Sequence, residues 1–138
     1  MSSEIITSND LKAILDEVLP SCAVDYVVEQ GTSGIWTYRK WYSGIAECWG
    51  EYYVSSASYS SWGSIYSLDV LGVAYPTGLF NAKPLCVAQA HCAGGNSVSS
   101  INSSEGTSTT SPAVTVIRGT TTSATAVYVI YQAKGTWK

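Results

Sequence analysis

Side chains capable of acid–base chemistry are few in this chain of 138 residues, and they stand apart from one another. After residue 25 they are Glu29, Glu47, Glu51, Asp69, His91 and Glu105. Hydrolysis of a glycan normally needs two carboxylates held several ångströms apart, one with a raised pKa. These acids form no paired motif, and His91 lies in an otherwise apolar strand without a serine motif near it. Such a histidine is typical of a core or interface position, so we predict no catalytic residue and no enzyme activity.

The cysteines do not follow the spacing of a metal or redox motif. They are Cys22, Cys48, Cys86 and Cys92, and no two form a C-x-x-C pair. In the segment CVAQAHC, the even separation places Cys86 and Cys92 on one side of a strand and His91 on the other. A metal site made of these three residues would require the strand to be broken. We predict buried free thiols that act as small hydrophobes, with disulfides as the alternative, and neither a metal nor another cofactor.

The composition predicts one domain with an uncharged polar surface. Hydrophobic residues make up 46% of the chain and charged residues 12%, about half the usual charged share. The net charge is −3; residues 1–25 hold five acids against one lysine, the remainder is close to neutral, and it contains no basic stripe that would indicate nucleic acid as a partner. No apolar run reaches the roughly 18 residues of a membrane span, and no signal peptide is evident, so we expect no membrane insertion. Such a surface suits an uncharged ligand, such as a glycan, or close packing of identical subunits.

An amphipathic helix is predicted over residues 8–19. Its apolar residues follow helical spacing, and they are Leu11, Ile14, Leu15, Val18 and Leu19. Ser8, Asn9 or Asp10 can cap its start, and Pro20 is expected to end it. About three turns of helix are marginal alone in water, so the helix packs either on its own domain or on copies of itself in a coiled coil. We favour the second because the rest reads as β, which divides the chain into a helical stub at 1–25 and a head at 26–138.

A hairpin rich in aromatic residues follows. The sequence predicts a short strand at YVVE and a loop at QGTSG. It then predicts two paired strands, IWTYRKW and IAECWG, joined by YSG, where Gly44 is free to adopt a positive φ. Glu47 is expected to form a cross-strand ion pair with Arg39 or Lys40. We expect the aromatic side chains of Trp36–Gly50 to be chiefly core and subunit contacts. If Trp41 and Trp49 are buried, truncating either to Ala should cost about 3 kcal/mol or more.

The remaining sequence predicts further strands between turns. Residues 51–67, EYYVSSASYSSWGSIYS, are either a pair of half-buried strands or a surface like an antibody paratope, with rings for contact area and serines for hydrogen bonds. The small residues along one face of CVAQAHC permit close approach by another sheet or chain. Two further strands are predicted near the end of the chain, AVTVIRG and the long TAVYVIYQAKGTWK. Several short strands spaced by turn signals predict a mainly β fold, an antiparallel, jelly-roll-like β-sandwich.

The hairpin VVEQGTSGIWTYRKWYSGIAECWG resembles the tryptophan-rich hairpin that opens the C-terminal head domain of tail-fibre and receptor-binding proteins in phages and prophages of Gram-positive bacteria. YPTGLFNAKPLCVAQ and the closing VYVIYQAKGTWK resemble later parts of the same domain, so the resemblance extends over about residues 27–138. In that family the head ends a trimeric fibre and touches the host surface. The resemblance therefore implies a homotrimer, upstream tail or fibre proteins as partners, and a place at the fibre tip of a virion assembled in the host cytoplasm.

Three functions remain open from the sequence. The favoured hypothesis is an adhesion head that binds a host cell-surface carbohydrate, because aromatic faces stack on sugar rings and several weak sites on a trimer gain by avidity. The second is a structural virion protein that only caps a fibre. The third and least favoured is a glycan-degrading enzyme.

Ligand binding is predicted in two segments read as loops, Tyr52 to Tyr66 and Asn96 to Ser111. Loops on a rigid scaffold are the usual place for recognition, and these carry rings together with amides that offer both a donor and an acceptor. The predicted ligand-binding residues are Tyr52, Tyr59, Trp62, Asn96 and Asn102.

Overall fold

A computed structural model of the protein describes residues 7–22, 24–92, 99–102, 108–119 and 125–138. Within these ranges one helix precedes nine strands. They are α1 (Ser8–Cys22), β1 (Val27–Ser33), β2 (Trp36–Trp41), β3 (Ile45–Ala57), β4 (Ser60–Trp62), β5 (Ile65–Val70), β6 (Leu85–Cys92), β7 (Ser99–Asn102), β8 (Val114–Arg118) and β9 (Thr125–Thr136). The predicted mainly β fold with one short N-terminal helix is confirmed.

The strands form two antiparallel sheets. The five-stranded sheet has the order β1-β2-β3-β9-β6, and the four-stranded sheet has the order β4-β5-β8-β7. Side chains from both sheets, such as Val129 of the first and Val116 of the second, are fully buried in one hydrophobic cluster. Buried faces that meet in this way are the arrangement of a β-sandwich, which agrees with the predicted architecture.

Alternation along the strands decides which side chains enter the core. On β9 the side chains of Val127, Val129 and Tyr131 are completely buried, whereas that of Ile130 between them is 40% exposed. On β3 the side chains of Ala46 and Cys48 are likewise buried. A period of two is the geometry of a pleated strand, and burying each large apolar side chain contributes about 1.5–3 kcal/mol. The alternation predicted for both strands is therefore confirmed.

The hairpin departs from the prediction in two ways. β1 continues through the segment predicted as a loop as far as Ser33, and the turn falls at residues 34–35, with Gly34 at a φ of 58°. Trp36 is a core residue, but Trp41 and Trp49 are only half-buried, so the condition for the larger cost of truncating them is not met within the single chain. The reason is parity: Trp49 lies on the face opposite to Cys48.

The tight turn at Gly44 is confirmed, since its φ is 99° and its amide donates to the carbonyl of Trp41.

The predicted ion pair of Glu47 is replaced by other contacts. Trp41 Nε1 donates a hydrogen bond of 3.2 Å to Glu47, and the Arg39 guanidinium lies 5.1 Å from the ring centre of Trp49. The ammonium of Lys40 instead lies 2.9 Å from Glu29, its antiparallel partner on β1. Lys40 and Glu47 project from opposite faces of the sheet, which keeps them apart.

The helix begins one residue after an unpredicted cap. The amide of Asp10 donates to the Thr7 hydroxyl, and the amide of Thr7 donates to the Asp10 carboxylate, which is a capping box. The helix continues through Pro20 to Cys22, so the predicted end at Pro20 is wrong; helix ends are the least certain feature of a sequence pattern. Among the described residues, no helix is long and apolar enough to cross a membrane.

Two residues on the apolar side of α1 are exposed within the described part of the chain. Leu11 is 52% exposed and Ile14 is 47% exposed. The helix contacts the head through a polar group, since the Tyr26 hydroxyl donates to the Asp16 carboxylate at 2.9 Å. The predicted apolar side chains of Leu15, Val18 and Leu19 lie outside the described part. The exposed residues argue against packing of this side of α1 on its own domain.

Candidate functional site

The predicted ligand-binding residues do not come together. Tyr52 lies on the inner side of β3 and packs against the core, as does Tyr59, which lies between β3 and β4. The guanidinium of Arg118 lies 5.3 Å from the ring centre of Tyr59, and burial raises the pKa of that phenol. Trp62 ends β4 and is 54% exposed. Two of the three aromatic residues are therefore parts of the packed interior.

The loop from Tyr52 to Tyr66 is a wrong prediction, and the alternative of half-buried strands describes it better. β3 extends to Ala57, and β4 and β5 form a hairpin around Gly63, whose φ is 62°. In the second predicted loop, residues 99–102 form β7, and Asn102 pairs with Val114 of β8. Asn96 and the side chain of Asn102 lie outside the described part of the chain.

One surface that the sequence did not identify is the outer face, which we define as the exposed side of the five-stranded sheet. Its large apolar side chains are unusually accessible: Leu85 is 83% exposed, Val87 67%, Tyr53 51% and Ile130 40%. They come from three neighbouring strands, because β9 lies between β3 and β6. Exposed apolar side chains gathered on one face of a sheet are a feature of association sites.

A row of aromatic residues crosses this outer face. The ring centres of Tyr53 and Tyr128 are 4.8 Å apart. The His91 ring also stacks on Tyr128, with 4.8 Å between the ring centres and 8° between the planes. The His91 Nε2 atom lies 3.5 Å from a carboxylate oxygen of Glu51. His91 is exposed, so the expected core position is wrong, and the interface position stays a prediction.

A recess of about 370 Å³ adjoins this row on the same outer face. Trp49 and the aliphatic side chains of Leu85 and Val87 line it together with the charged residues Glu47 and Lys134. Glu47 and Lys134 are antiparallel partners on β3 and β9, so opposite charges flank an apolar floor. This mixture can accommodate a protruding side chain of another protein.

A second recess, which we call the polar cleft, lies where the β1–β2 hairpin meets a tight turn. The turn is closed by a hydrogen bond of 3.1 Å from the Leu79 amide to the Pro76 carbonyl, with Gly78 at a φ of 72°. The cleft has a volume of about 310 Å³, and it is lined by Glu29, Thr32, Ser33, Tyr38, Lys40, Pro76, Thr77 and Leu79.

Charged and hydroxyl groups are already ordered inside the polar cleft. One carboxylate oxygen of Glu29 lies 2.9 Å from Lys40 Nζ, and the other accepts a bond of 3.3 Å from the Tyr38 hydroxyl. The hydrogen bond from Lys40 lowers the pKa of the Glu29 carboxyl, with a smaller contribution from Tyr38. The carboxylate is therefore ionised at neutral pH, and the pair has no net charge.

The pairing of Glu29 with Lys40 could have been predicted from the sequence if β1 had been given its full length. Extending the first strand through QGTS would have placed Glu29 opposite Lys40 by simple antiparallel counting. The contribution of Thr77 could not be found in this way, because the turn that carries it is distant in sequence.

The cysteines add no metal site. Among the described residues, no group of three or more His, Cys, Asp or Glu side chains is placed to hold a metal ion. Cys48 is a buried thiol, and Cys86 and Cys92 are half-buried thiols on the inner side of β6. The side chain of Cys22 lies outside the described part.

Comparisons with known proteins identify the fold. No family model and no curated protein matches the chain. An N-truncated R1-type pyocin tail fibre is similar in structure with a TM-score of 0.57 and 13% sequence identity, over 87% of this chain and 94% of that chain. The C-terminal part of a P. aeruginosa R1 pyocin fibre matches with a TM-score of 0.48 and 16% identity, over 81% of this chain and 28% of that chain. The first comparison shows a shared fold, and neither supports the expected Gram-positive host.

Proposed function

We propose that this chain is the head of a phage-type tail fibre that forms a homotrimer and attaches to carbohydrate on a host cell without catalysis. The observation that carries the proposal is the architecture, which is shared with a pyocin tail fibre over most of both chains. The sequence resemblance of the tryptophan-rich hairpin supports the same assignment independently. In this role the domain belongs to a virion and is joined to other tail or fibre proteins.

Two exposed apolar surfaces support assembly from identical chains. The first is the side of α1 that carries Leu11 and Ile14, and the second is the outer face around Leu85 and Val87. A stable interface buries roughly 800 Å² on each partner and is most apolar at its centre. Copies of this chain would cover both surfaces at once.

The assembly is tested by measuring the mass of the whole protein with light scattering. The unaltered protein should have the mass of a trimer, and changing both Leu11 and Leu15 to Ser should shift it towards the monomer on dilution. The matched control changes Asn9 and Lys12 of the same helix to Ser and should leave the trimer intact. A monomeric mass for the unaltered protein contradicts the proposed fibre head.

The attachment is tested with host cells and purified glycans. The isolated domain should adsorb to cells, bind glycans on an array, and release no product from them in a degradation assay. A trimer that adsorbs to neither cells nor glycans would favour the fibre-capping protein. Release of shortened glycan would establish the enzyme that the sequence disfavours.

A further inference from the structure

We propose that the polar cleft is the carbohydrate-binding site and that it takes a neutral, hydroxyl-rich sugar residue. This inference rests on the proposed function and adds to it the location of the site and the class of sugar. The cleft, about 310 Å³ in volume, lies at the lower end of the roughly 300–1,000 Å³ range of small-ligand sites, which suits a short stretch of glycan.

The polar groups of the cleft include both donors and acceptors, as the hydroxyls of a sugar require. The Glu29 carboxylate accepts only, the Lys40 ammonium donates only, and the hydroxyls of Ser33 and Thr77 do both. Each carboxylate oxygen of Glu29 holds one partner already and has a further lone pair for a ligand hydroxyl. The cleft therefore offers acceptors and donors side by side without having to rearrange.

The Glu29–Lys40 pair also selects against charge. Because the pair is neutral as a unit, an uncharged ligand approaches it without electrostatic penalty. A uronic acid or phosphate would have to compete with the Glu29 carboxylate for the Lys40 ammonium, which already lies 2.9 Å from Glu29. A neutral hexose or N-acetylhexosamine is the chemistry that remains.

A glycine in the middle of β1 has its explanation in this cleft. A Cβ at Gly31 would lie 3.1 Å from the Tyr38 hydroxyl oxygen and 3.3 Å from two of its ring carbons. Glycine inside a strand weakens it and often marks a close approach. Here it lets the Tyr38 ring lie against the backbone of β1, with its hydroxyl on Glu29. An aromatic ring held in one position beside donors and acceptors is the arrangement that stacks on the apolar side of a sugar ring.

Two substitutions disable the cleft by different means. Glu29→Gln removes the ionised acceptor while keeping the shape, and Glu29 is half-exposed, so the fold should tolerate it. Thr77→Tyr fills the cleft from an exposed turn and leaves the charged pair in place. Asp69→Asn is the matched control, because Asp69 is another exposed carboxylate that accepts a hydroxyl bond, from Thr115 at 2.7 Å.

The experiment uses the full chain on an array of neutral hexose and N-acetylhexosamine oligosaccharides beside uronic-acid and phosphorylated ones, with cell adsorption and oligomeric mass measured in parallel. We expect binding to neutral members, a loss of at least tenfold in affinity for Glu29→Gln and Thr77→Tyr at unchanged mass, and no loss for Asp69→Asn.

Undiminished binding by both cleft variants overturns the site while leaving the proposed attachment intact. The same holds if Trp62→Ala alone abolishes binding, which returns the site to the β4–β5 turn. Preference for the acidic members overturns the class of sugar, and absence of both array binding and cell adsorption overturns the proposed function itself.

Discussion

The inner and outer faces of the five-stranded sheet are built from the same strands but are packed very differently. On the inner face, Trp36 is 3% exposed, its Nε1 donates to the Ala74 carbonyl at 2.6 Å, and its ring is 5.4 Å from Tyr75 and 5.7 Å from Tyr131. On the outer face, Trp49 is half-buried beside Arg39, and Leu85 is 83% exposed.

The difference shows that aromatic content alone does not identify a core. A side chain in a strand belongs to one face or the other by parity, so Cys48 and Trp49 have opposite surroundings although they are neighbours. The inner face is completed by the second sheet of the same chain. The outer face carries exposed apolar side chains such as Leu85 and Val87, which is the basis for proposing that it makes contacts between subunits.

The largest expected effect is the loss of an inner-face ring. Trp36→Ala removes a buried side chain together with its hydrogen bond and two ring contacts, and should lower the free energy of unfolding by about 3–5 kcal/mol. Trp49→Ala is the matched change on the outer face. It should cost about 1 kcal/mol, because Trp49 is half-buried and its main described contact is the Arg39 guanidinium.

Urea denaturation of the two variants and the parent, at one protein concentration, measures both values. Equal losses for Trp36→Ala and Trp49→Ala would remove the energetic distinction between the faces.

Burial of the Cys48 thiol gives the inner face a pH dependence. Burial, with a smaller contribution from Cys86, raises the pKa of Cys48 from 9.0 to about 12. A raised folded pKa contributes stability that is fully present below the unfolded pKa and is lost as pH rises through the folded value. Between pH 9 and 10 the unfolded chain loses this proton first, so stability should fall by up to about 1.4 kcal/mol per pH unit from this group.

Cys48→Ala isolates this contribution. Denaturation curves in the presence of a reductant at pH 8, 9 and 10 should show a shallower loss of stability for the variant than for the parent. Parallel pH profiles for the two proteins would mean that the thiol is not protected from ionisation in the folded state.

The fold could be predicted from the sequence where a period of two was unbroken. The start of β3 and β9 each divide by alternation into two sets of side chains, and the structure buries one set of each: Ala46 and Cys48 on β3, and Val127, Val129 and Tyr131 on β9. The sequence of β4 and β5 leaves both half-buried strands and a binding loop open, because their serines give no apolar period and their strand character depends on the pairing of β5 with β4 and β8. Local composition carries little information about such pairing.

The candidate site was less accessible to sequence reasoning. Tyr52 and Tyr59 have the residue types of a binding surface, but tertiary packing places both against the core. The polar cleft combines a cross-strand pair with a turn carrying Thr77, and only the closure of the whole domain brings these segments together. Gly31 pairs with Tyr38 on the neighbouring strand. The reason for a glycine at this position can be recognised only once that register is known.

The smallest expected change in the stability of the single chain comes from substitutions on the outer face, and the same substitutions should have the largest effect on assembly. Leu85→Thr with Val87→Thr keeps residues that favour a strand and removes apolar side chains that are already exposed, so the intrinsic stability of the chain should change by less than about 0.5 kcal/mol. If neighbouring subunits cover the outer face, the same double variant should dissociate at concentrations where the parent remains assembled. Gln89→Thr, on the same side of β6, is the matched control and should leave the mass unchanged. Sedimentation across a dilution series separates the outcomes, and identical masses for the double variant and the parent at every dilution would show that subunits do not meet through this face. The outer face would then differ from the inner face only in being uncovered, and its apolar character would need another partner.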